Sequence, residues 1–553
     1  MRRIALLSCL GLPLAAGCAG DDSPPAEAGT TTGDTTFGEE GSTTMEQGDS
    51  MVADTTAGEG SSSSGDEGPE PPPPLPPLDD APTTEDERIV PTHVIEARPT
   101  LDPRIPEQRN QLLDEGYGEY DLDPGEAVMP ITPAGRPVPE PGPGAELVSR
   151  FVHLADTQIA DDESPLRLIG VDSLFIAGGF RPQESYGCMT TNAAVRTINA
   201  VNAETPLDFV VLGGDNADSG QQNEVQWFLD ILDGAPVVHC DSGDDNDPEP
   251  GEANDPKDPI APVGLDVPWI WVTGNHDVLN QGSLPIEPML EDAVGSSVPA
   301  GNSSRDWSQP GGPVFDGPVV PDPARALVAG TELLTQVSLS GDGHGITKEI
   351  ADTGVATYAW DVEGTDLRMV VVDSTAGSGG ALGLVTETEV EERIRPLLDQ
   401  AETDGALVFI STHHCSNSLS DGSGLGVEPA PDPIEPADWQ AFLGEYPNVL
   451  AHLCGHSHVH QAEYIQPVGT RGYWEIITAA IADWPHQMRL VEVHDQDNGW
   501  YTLTGIAFDL STEGDPLAEQ GRALGILDFT SGWQLDGSGT PSDRNVQLWI
   551  EAP

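Results

Sequence analysis

From residue 147 onward, apolar residues fall into short β-type runs, separated by stretches whose apolar positions recur at helical spacing. The runs 147–156, 209–213, 269–273, 368–373, 407–412 and 449–454 predict strands. Between them, 192–203 predicts a helix that places Val195, Ile198 and Val201 on one side, and 224–232 predicts another. Thr386 and Glu389 stand in a capping-box spacing and open a helix expected to run through Leu398, with Pro396 bending or shortening it. Near the end, 489–494 and 500–508 flank a turn centred on Asn498-Gly499, which predicts a hairpin with φ > 0 at those two residues. Strands alternating with helices argue for an α/β body over 146–553. Two stretches break the alternation: an acidic loop at about 240–262 and a long insertion at about 280–350. Long loops beside a site are common places for specificity elements.

The first 145 residues read differently. Arg2 and Arg3 precede the apolar run 4–14 and the small residues Ala15-Ala16-Gly17, a pattern that predicts an export signal over 1–17. Small residues directly ahead of Cys18 resemble the lipobox of bacterial lipoproteins, which implies cleavage before Cys18 and lipidation of its thiol. Ala19 then favours an outer-membrane or cell-surface anchor, with the periplasm as second choice. Residues 18–88 are dominated by Gly, Ser, Thr, Asp, Glu and Pro, and too few apolar side chains are present to offset the chain entropy of folding. They predict a disordered tether, followed by an irregular Pro- and Gly-rich extension over 89–145.

The formal net charge of −71 argues against a nucleic-acid polymer as partner and leaves the Cys18 lipid as the route to a membrane. The run from Asp241 to Asp258 lacks an EF-hand pattern and is expected to be solvated loop. Cys188, Cys240, Cys415 and Cys454 allow two disulfides in three pairings. Cys415 and Cys454 each lie beside a candidate metal ligand, which suggests a bridge between those two.

Five predicted strands run straight into metal-capable residues: Asp156-Thr-Gln158, Gly214-Asp215, Gly274-Asn275-His276-Asp277, His413-His414 and Gly455-His456-Ser-His458. Ligands gather at the carboxyl ends of strands in α/β sheets, so residues far apart in sequence can meet in one pocket. Each motif alone says little; the ordered set is specific.

In this order the motifs resemble the calcineurin-like metallophosphoesterase superfamily, over roughly residues 147–485. Four further stretches resemble an actinobacterial-type subfamily: 341–345 around His344, Tyr473-Trp-Glu-Ile, Asp483-Trp-Pro-His-Gln and Asp543-Arg-Asn-Val. The resemblance implies a two-sheet α/β/β/α sandwich and a hydrolase of phosphomonoesters or phosphodiesters that uses a metal-bridging hydroxide. It implies two divalent ions bridged by Asp215, one completed by Asp156, Gln158 and His458, the other by Asn275, His413 and His456. This mix of oxygen and imidazole donors suits Mn, Fe, Zn or Mg. The family usually has His where Gln158 stands, and a neutral amide donor tilts the choice towards Mn or Fe. His276 is expected to protonate the leaving oxygen and Asp277 to orient His276. His344, His414 and Arg325 are candidate contacts to a small phosphoester substrate. Asp218 stands where purple acid phosphatases place a ligating Tyr, so no phenolate colour is expected. The alternatives are a non-catalytic surface lipoprotein that keeps the fold, and a nucleotidase or nuclease on the same scaffold. Asp215, Asn275 and His276 are all present, which speaks against a decayed site.

Overall fold

The structure, a computed structural model, describes residues 72–553 apart from 94–99, 172–177, 244–248, 250, 252, 287–293, 295–303, 342 and 343. The export signal, Cys18 and the tether as far as residue 71 lie outside the described residues. Strands β1 (Glu87–Pro91) and β2 (Tyr120–Pro124) form an antiparallel ribbon. Next along the chain come β3 (Met129–Ile131), β4 (Glu146–Leu154), β5 (Phe209–Leu212) and β6 (Trp269–Trp271). A two-residue ribbon, β7 (Ser304–Arg305) with β8 (Val314–Phe315), lies within the long insertion. Then follow β9 (Tyr358–Asp361), β10 (Leu367–Val371), β11 (Leu407–Ser411) and β12 (Val449–Cys454). The chain closes with β13 (Gln461–Ile465), β14 (Tyr473–Ile477), β15 (Gln487–Asp495), β16 (Trp500–Asp509) and β17 (Val546–Glu551).

Two sheets dominate. The seven-stranded sheet has the order β3-β17-β16-β15-β4-β5-β6, and the six-stranded sheet β13-β14-β12-β11-β10-β9. Each contains a parallel ladder: β4, β5 and β6 in the first, and β10, β11, β12 and β14 in the second. All the strands that precede the five motifs belong to these ladders.

Side-chain alternation explains the layering. Along β11, Leu407 and Phe409 enter the core that both sheets share. Val408 and Ile410 point the other way, into a second core with Ile394, Leu398, Trp439 and Leu443. Phe409 meets Phe151 of β4 across the gap, ring centroids 5.7 Å apart. A strand buried on both faces reads as a continuous apolar run, which is why these segments stand out in the sequence. The outcome is the expected α/β sandwich.

Local departures have local causes. Helix α1 (Pro106–Asp114) and strand β3 give order to the extension expected to be irregular, and β3 adds to the edge of the seven-stranded sheet beside β17. Docking starts before the boundary expected at residue 88, because Thr84 is buried and its hydroxyl donates to Ala507 O of β16 at 2.6 Å. Helix α2 (Gly187–Glu204) begins five residues ahead of the expected start. Its first turns carry Thr190, Thr191 and Asn192, polar residues that hide the apolar periodicity. They are nonetheless buried, and the Thr191 hydroxyl bonds back to Gly187 O at 2.7 Å. Helix α3 (Gln222–Asp233) matches expectation to within two residues and ends on Gly234 at φ 66°.

The Thr386 capping box forms, but the helix continues through Asp404. A π-turn over Val390–Ile394 places Pro396 in the first turn of the segment that follows, where a missing N–H costs nothing. In the β15–β16 hairpin, positive φ falls on Asp497 and Gly499, and Asn498 instead accepts the Trp500 N–H through its side chain. The acidic loop is not fully solvated. Lys257 is buried with its ammonium 2.8 Å from Asp162, 3.1 Å from Glu163 and 3.5 Å from Asp241.

Cys415 and Cys454 are joined, as are Cys188 and Cys240. The first bridge ties the ends of β11 and β12 together, two residues from His413 and two from His456. Closing a separation of 39 residues restricts the unfolded chain by about 4 kcal/mol on the loop-entropy model. Reduction should therefore lower the melting temperature, and alkylation without reductant should leave all four of these cysteines unmodified by intact mass. Labelling of any of these four in the unreduced protein, located by peptide mapping, would contradict this pairing.

Candidate metal centre

The five motif strands end at one place. Asp156 follows β4, Asp215 follows β5, Asn275 follows β6, His413 follows β11 and His456 follows β12. Asp215 lies in the middle. Its Oδ2 is 3.0 Å from His413 Nε2 and 3.2 Å from Gln158 Nε2, and its Oδ1 accepts the His276 N–H at 2.8 Å. Asp156 Oδ1 is 3.2 Å from His458 Nε2 and 3.9 Å from His413 Nε2. Asn275 Oδ1 is 3.2 Å from His456 Nδ1, and Gln158 Nε2 is 3.3 Å from His458 Nε2. All seven ligands expected from the sequence therefore meet in one cluster.

Backbone geometry records the effort of bringing them together. Asp156, Gln158, Asp215, His456 and His458 all take positive φ, between 42° and 66°, which non-glycine residues rarely adopt away from functional sites. The glycines of the motifs are explained by close approach. A Cβ on Gly214 would meet His413 Nδ1 at 2.7 Å, one on Gly274 would meet Asp215 Oδ1 at 2.1 Å, and one on Gly455 would meet Asp156 Oδ2 at 2.5 Å. Each motif glycine thus makes room for a candidate ligand contributed by another strand.

The donor set suits cations. His413 donates its Nδ1–H to Gly213 O at 2.9 Å, and His458 is held through Nδ1 by Asp483 at 2.6 Å. Both rings are thereby fixed with Nε2 turned to the centre. Gln158 Oε1 is buried without a hydrogen-bond partner. Buried acceptors left in this way are costly unless something coordinates them. Burial opposes charge on Asp215, yet the imidazoles of His413 and His276 hold its carboxyl well below the usual carboxylate range. Burial likewise opposes charge on His413 and His458, yet Asp215 raises the pKa of the first and Asp156 that of the second. Divalent ions at this place would compete with protons for the same imidazole nitrogens and carboxylates. Asp156, Asp215 and His413 are almost fully buried, whereas His276 and His458 keep 14% and 15% of their side chains exposed, which marks the open side.

Several expected roles change. Asp277 does not orient His276. It is fully buried and its carboxylate accepts the backbone N–H groups of Asp215, Asn216, Ala217 and Gly274, so it holds the turn that presents Asp215. Burial, then the Asp215 charge, pushes its carboxyl up to about 7 against the pull of those donors. His276 is oriented instead by Asp218, whose carbonyl accepts Nδ1–H at 2.8 Å and whose carboxylate lies 3.4 Å away. Asp218 is itself paired with Arg167.

His414 packs 4.5 Å from the His456 ring, and both its nitrogens are engaged, Nδ1 by Ser374 Oγ and Nε2 by Ala381 O. Burial, then His456, holds it well below the usual histidine value, so it supports the centre as a neutral ring. His344 does not face substrate, because it is buried against Trp269 at the start of β6 with rings 4.8 Å apart. Arg325 does not either. It is buried, and Asp161, Val320 O and Ser242 take up its guanidinium.

Gly282 was not legible in the sequence. Its carbonyl accepts Asn275 Nδ2–H at 3.0 Å, which turns Asn275 Oδ1 towards the centre. A Cβ there would meet His276 Cδ2 at 2.2 Å and Asn275 Nδ2 at 2.4 Å, and φ is +63°. Gly282→Ala should therefore weaken metal binding at the Asn275 site with little change in fold, a difference that calorimetric titration with Mn would register. Unaltered binding would remove Gly282 from the centre.

Residues 149–460, more than half of the chain, match the family described as calcineurin-like phosphoesterase. Among solved structures, a dimetal phosphatase from Danio rerio is 13% identical, covers 66% of this chain and 100% of its own, and has a TM-score of 0.36. A purple acid phosphatase from yellow lupin (Lupinus luteus) seeds is 13% identical, covering 70% of this chain and 54% of its own at a TM-score of 0.29. The sulfate thiohydrolase SoxB of Thermus thermophilus is 14% identical, covering 68% and 60% at 0.29. No curated protein matches the chain.

Proposed function

Because this chain belongs to the calcineurin-like phosphoesterase family, we propose that it is a dinuclear metal-dependent hydrolase of small phosphomonoesters or phosphodiesters. The observation that carries the reading is the meeting of five strand ends on Asp215, with His413 Nε2 3.0 Å from its carboxylate and Gln158 Oε1 buried without a hydrogen-bond partner. Asp156, Gln158, Asp215 and His458 would hold one ion, and Asp215, Asn275, His413 and His456 the other. Two divalent ions, when bound, supply an acidified water as nucleophile and neutralise the phosphoryl oxygens. The neutral amide of Gln158 favours Mn or Fe over Zn.

The chain's own side chains do the rest. His276 presents Nε2 at the open side, because Asp218 O occupies its Nδ1–H. It is placed to give a proton to the departing oxygen. Burial opposes its charge, but Asp215 and Asp218 raise its pKa, which favours the protonated acid. Asp277 keeps the Asp215 turn rigid through its backbone donors. Within the family, the reading extends to the actinobacterial-type subfamily, which the four stretches quoted above resemble.

Export and lipid anchoring at Cys18 complete the proposal, with an outer-membrane or cell-surface site. Two disulfides support an oxidising compartment. The test is elemental analysis of protein purified without chelator, then turnover of aryl and bis-aryl phosphates with and without Mn. Two equivalents of metal and chelator-sensitive turnover are expected. Turnover that survives complete metal removal would sink the proposal. Fatty-acid labelling that persists in Cys18→Ser would sink the anchor alone.

A further inference from the structure

The loop after β14 is a further parallel-strand end at the same place, and no expected ligand lies on it. It runs alongside the first motif. Ile481 donates its N–H to Ala155 O at 3.2 Å and Ala482 to Asp156 O at 2.9 Å. The next residue, Asp483, is fully buried, and its Oδ2 lies 2.6 Å from His458 Nδ1. Its carboxylate is gripped from behind by Arg181, with Nε 2.8 Å from Oδ1 and Nη2 3.3 Å from Oδ2. Gln183 fastens the loop by donating to Ala482 O at 3.0 Å. The remaining Arg181 nitrogen, Nη1, lies 3.6 Å from Asp218, the residue that orients His276.

We infer that Asp483, clamped by Arg181, is the positioning residue for His458 and sets the affinity of one of the two ions. This rests on the reading above that His458 is a ligand. The chemistry follows from the geometry. A carboxylate that accepts Nδ1–H fixes the tautomer in which Nε2 carries the lone pair, locks the ring plane and makes the imidazole more basic. A buried carboxylate needs a counter-charge, and the forked guanidinium supplies it at both oxygens, most closely at Oδ1 and sharing Oδ2 with the imidazole. Arg181 also touches Asp218, so one side chain steadies the partners of both the ligand His458 and the acid His276.

The experiment titrates metal-free full-length protein with Mn and follows free Mn by electron paramagnetic resonance. The wild type should take up two ions; no uptake would overturn the dinuclear reading itself. Asp483→Asn should weaken one ion by about 10- to 100-fold and leave the other unchanged. Arg181→Lys keeps the charge but not the fork, and should weaken the same ion by less. In a His458→Ala background, adding Asp483→Asn should cause no further loss, since the carboxylate acts through that ring. Two wild-type affinities in folded Asp483→Asn would overturn the inference. So would additive losses in the double variant. If Asp483→Asn does not fold, Arg181→Lys decides: unaltered affinities in it would also overturn the inference.

Discussion

Asp215→Asn should lower turnover of an activated phosphodiester by about 10³-fold or more while leaving the protein folded. The estimate follows from the several kcal/mol that a correctly clamped ion pair contributes to the transition state, each 1.36 kcal/mol being about tenfold. Asp215 approaches both halves of the site closely, 3.0 Å from His413 and 3.2 Å from Gln158, whereas Asp156 lies 3.2 Å from His458 but 3.9 Å from His413. Asparagine keeps the shape and tolerates the positive φ of 54° that this position imposes. It removes the shared negative charge that would hold two cations side by side. The check is kcat and metal content measured on the same sample, with circular dichroism to show that the fold survives. Turnover within tenfold of wild type, at wild-type metal content, would mean that Asp215 is not the bridge.

His276→Ala should cost about 10²- to 10⁴-fold, and the loss should depend on the leaving group. The ring presents Nε2 to the centre, 3.9 Å from Asp215, because its other nitrogen is committed to Asp218 O at 2.8 Å. A proton delivered from there matters most when the departing oxygen is a basic alkoxide and least when it is a nitrophenolate. Rates measured across esters of graded leaving-group pKa should therefore fall more steeply for the variant than for the wild type. An equal loss for every ester would assign His276 to charge stabilisation or substrate binding instead of proton donation. Asp218→Asn should reproduce a weaker form of the same pattern, since the carbonyl that orients the ring is retained.

The sequence carries the strands that bear the centre because they are buried on both faces and so read as continuous apolar runs, as Leu407–Ser411 does. The ligands are legible for a related reason. Each follows directly on such a run, and three of them are preceded by a glycine that has to admit another strand's ligand. What escaped is whatever depends on side-chain direction. Asp277 adjoins His276 in sequence, yet neighbours on a tight turn point apart, and the oriented partner comes from Asp218, 58 residues away. Asp483 offers no periodicity; its place just beyond β14 and the Asp483-Trp-Pro-His-Gln stretch mark it, but neither says that it holds His458. Strands β13 and β17 at or near sheet edges carry mixed polar and apolar residues and give no continuous run. Arg325 and His344 resemble subfamily positions and suggest phosphate contacts in an acidic chain, but the structure uses the first as a buried counter-ion and the second as a stacking partner.

Gly282 has a practical consequence for engineering. The turn 280–284 closes on itself through Asn280 N to Leu284 O at 2.9 Å. It is stitched to the body by Asn280 to Leu166 O and by Gln281 to Leu168 and Gly178. Anyone exchanging the segment that follows, in order to retarget the enzyme, has a natural splice point just past Leu284. A graft that began earlier would disturb the candidate ligand Asn275 and the candidate acid His276 together, and would be misread as a change of substrate preference.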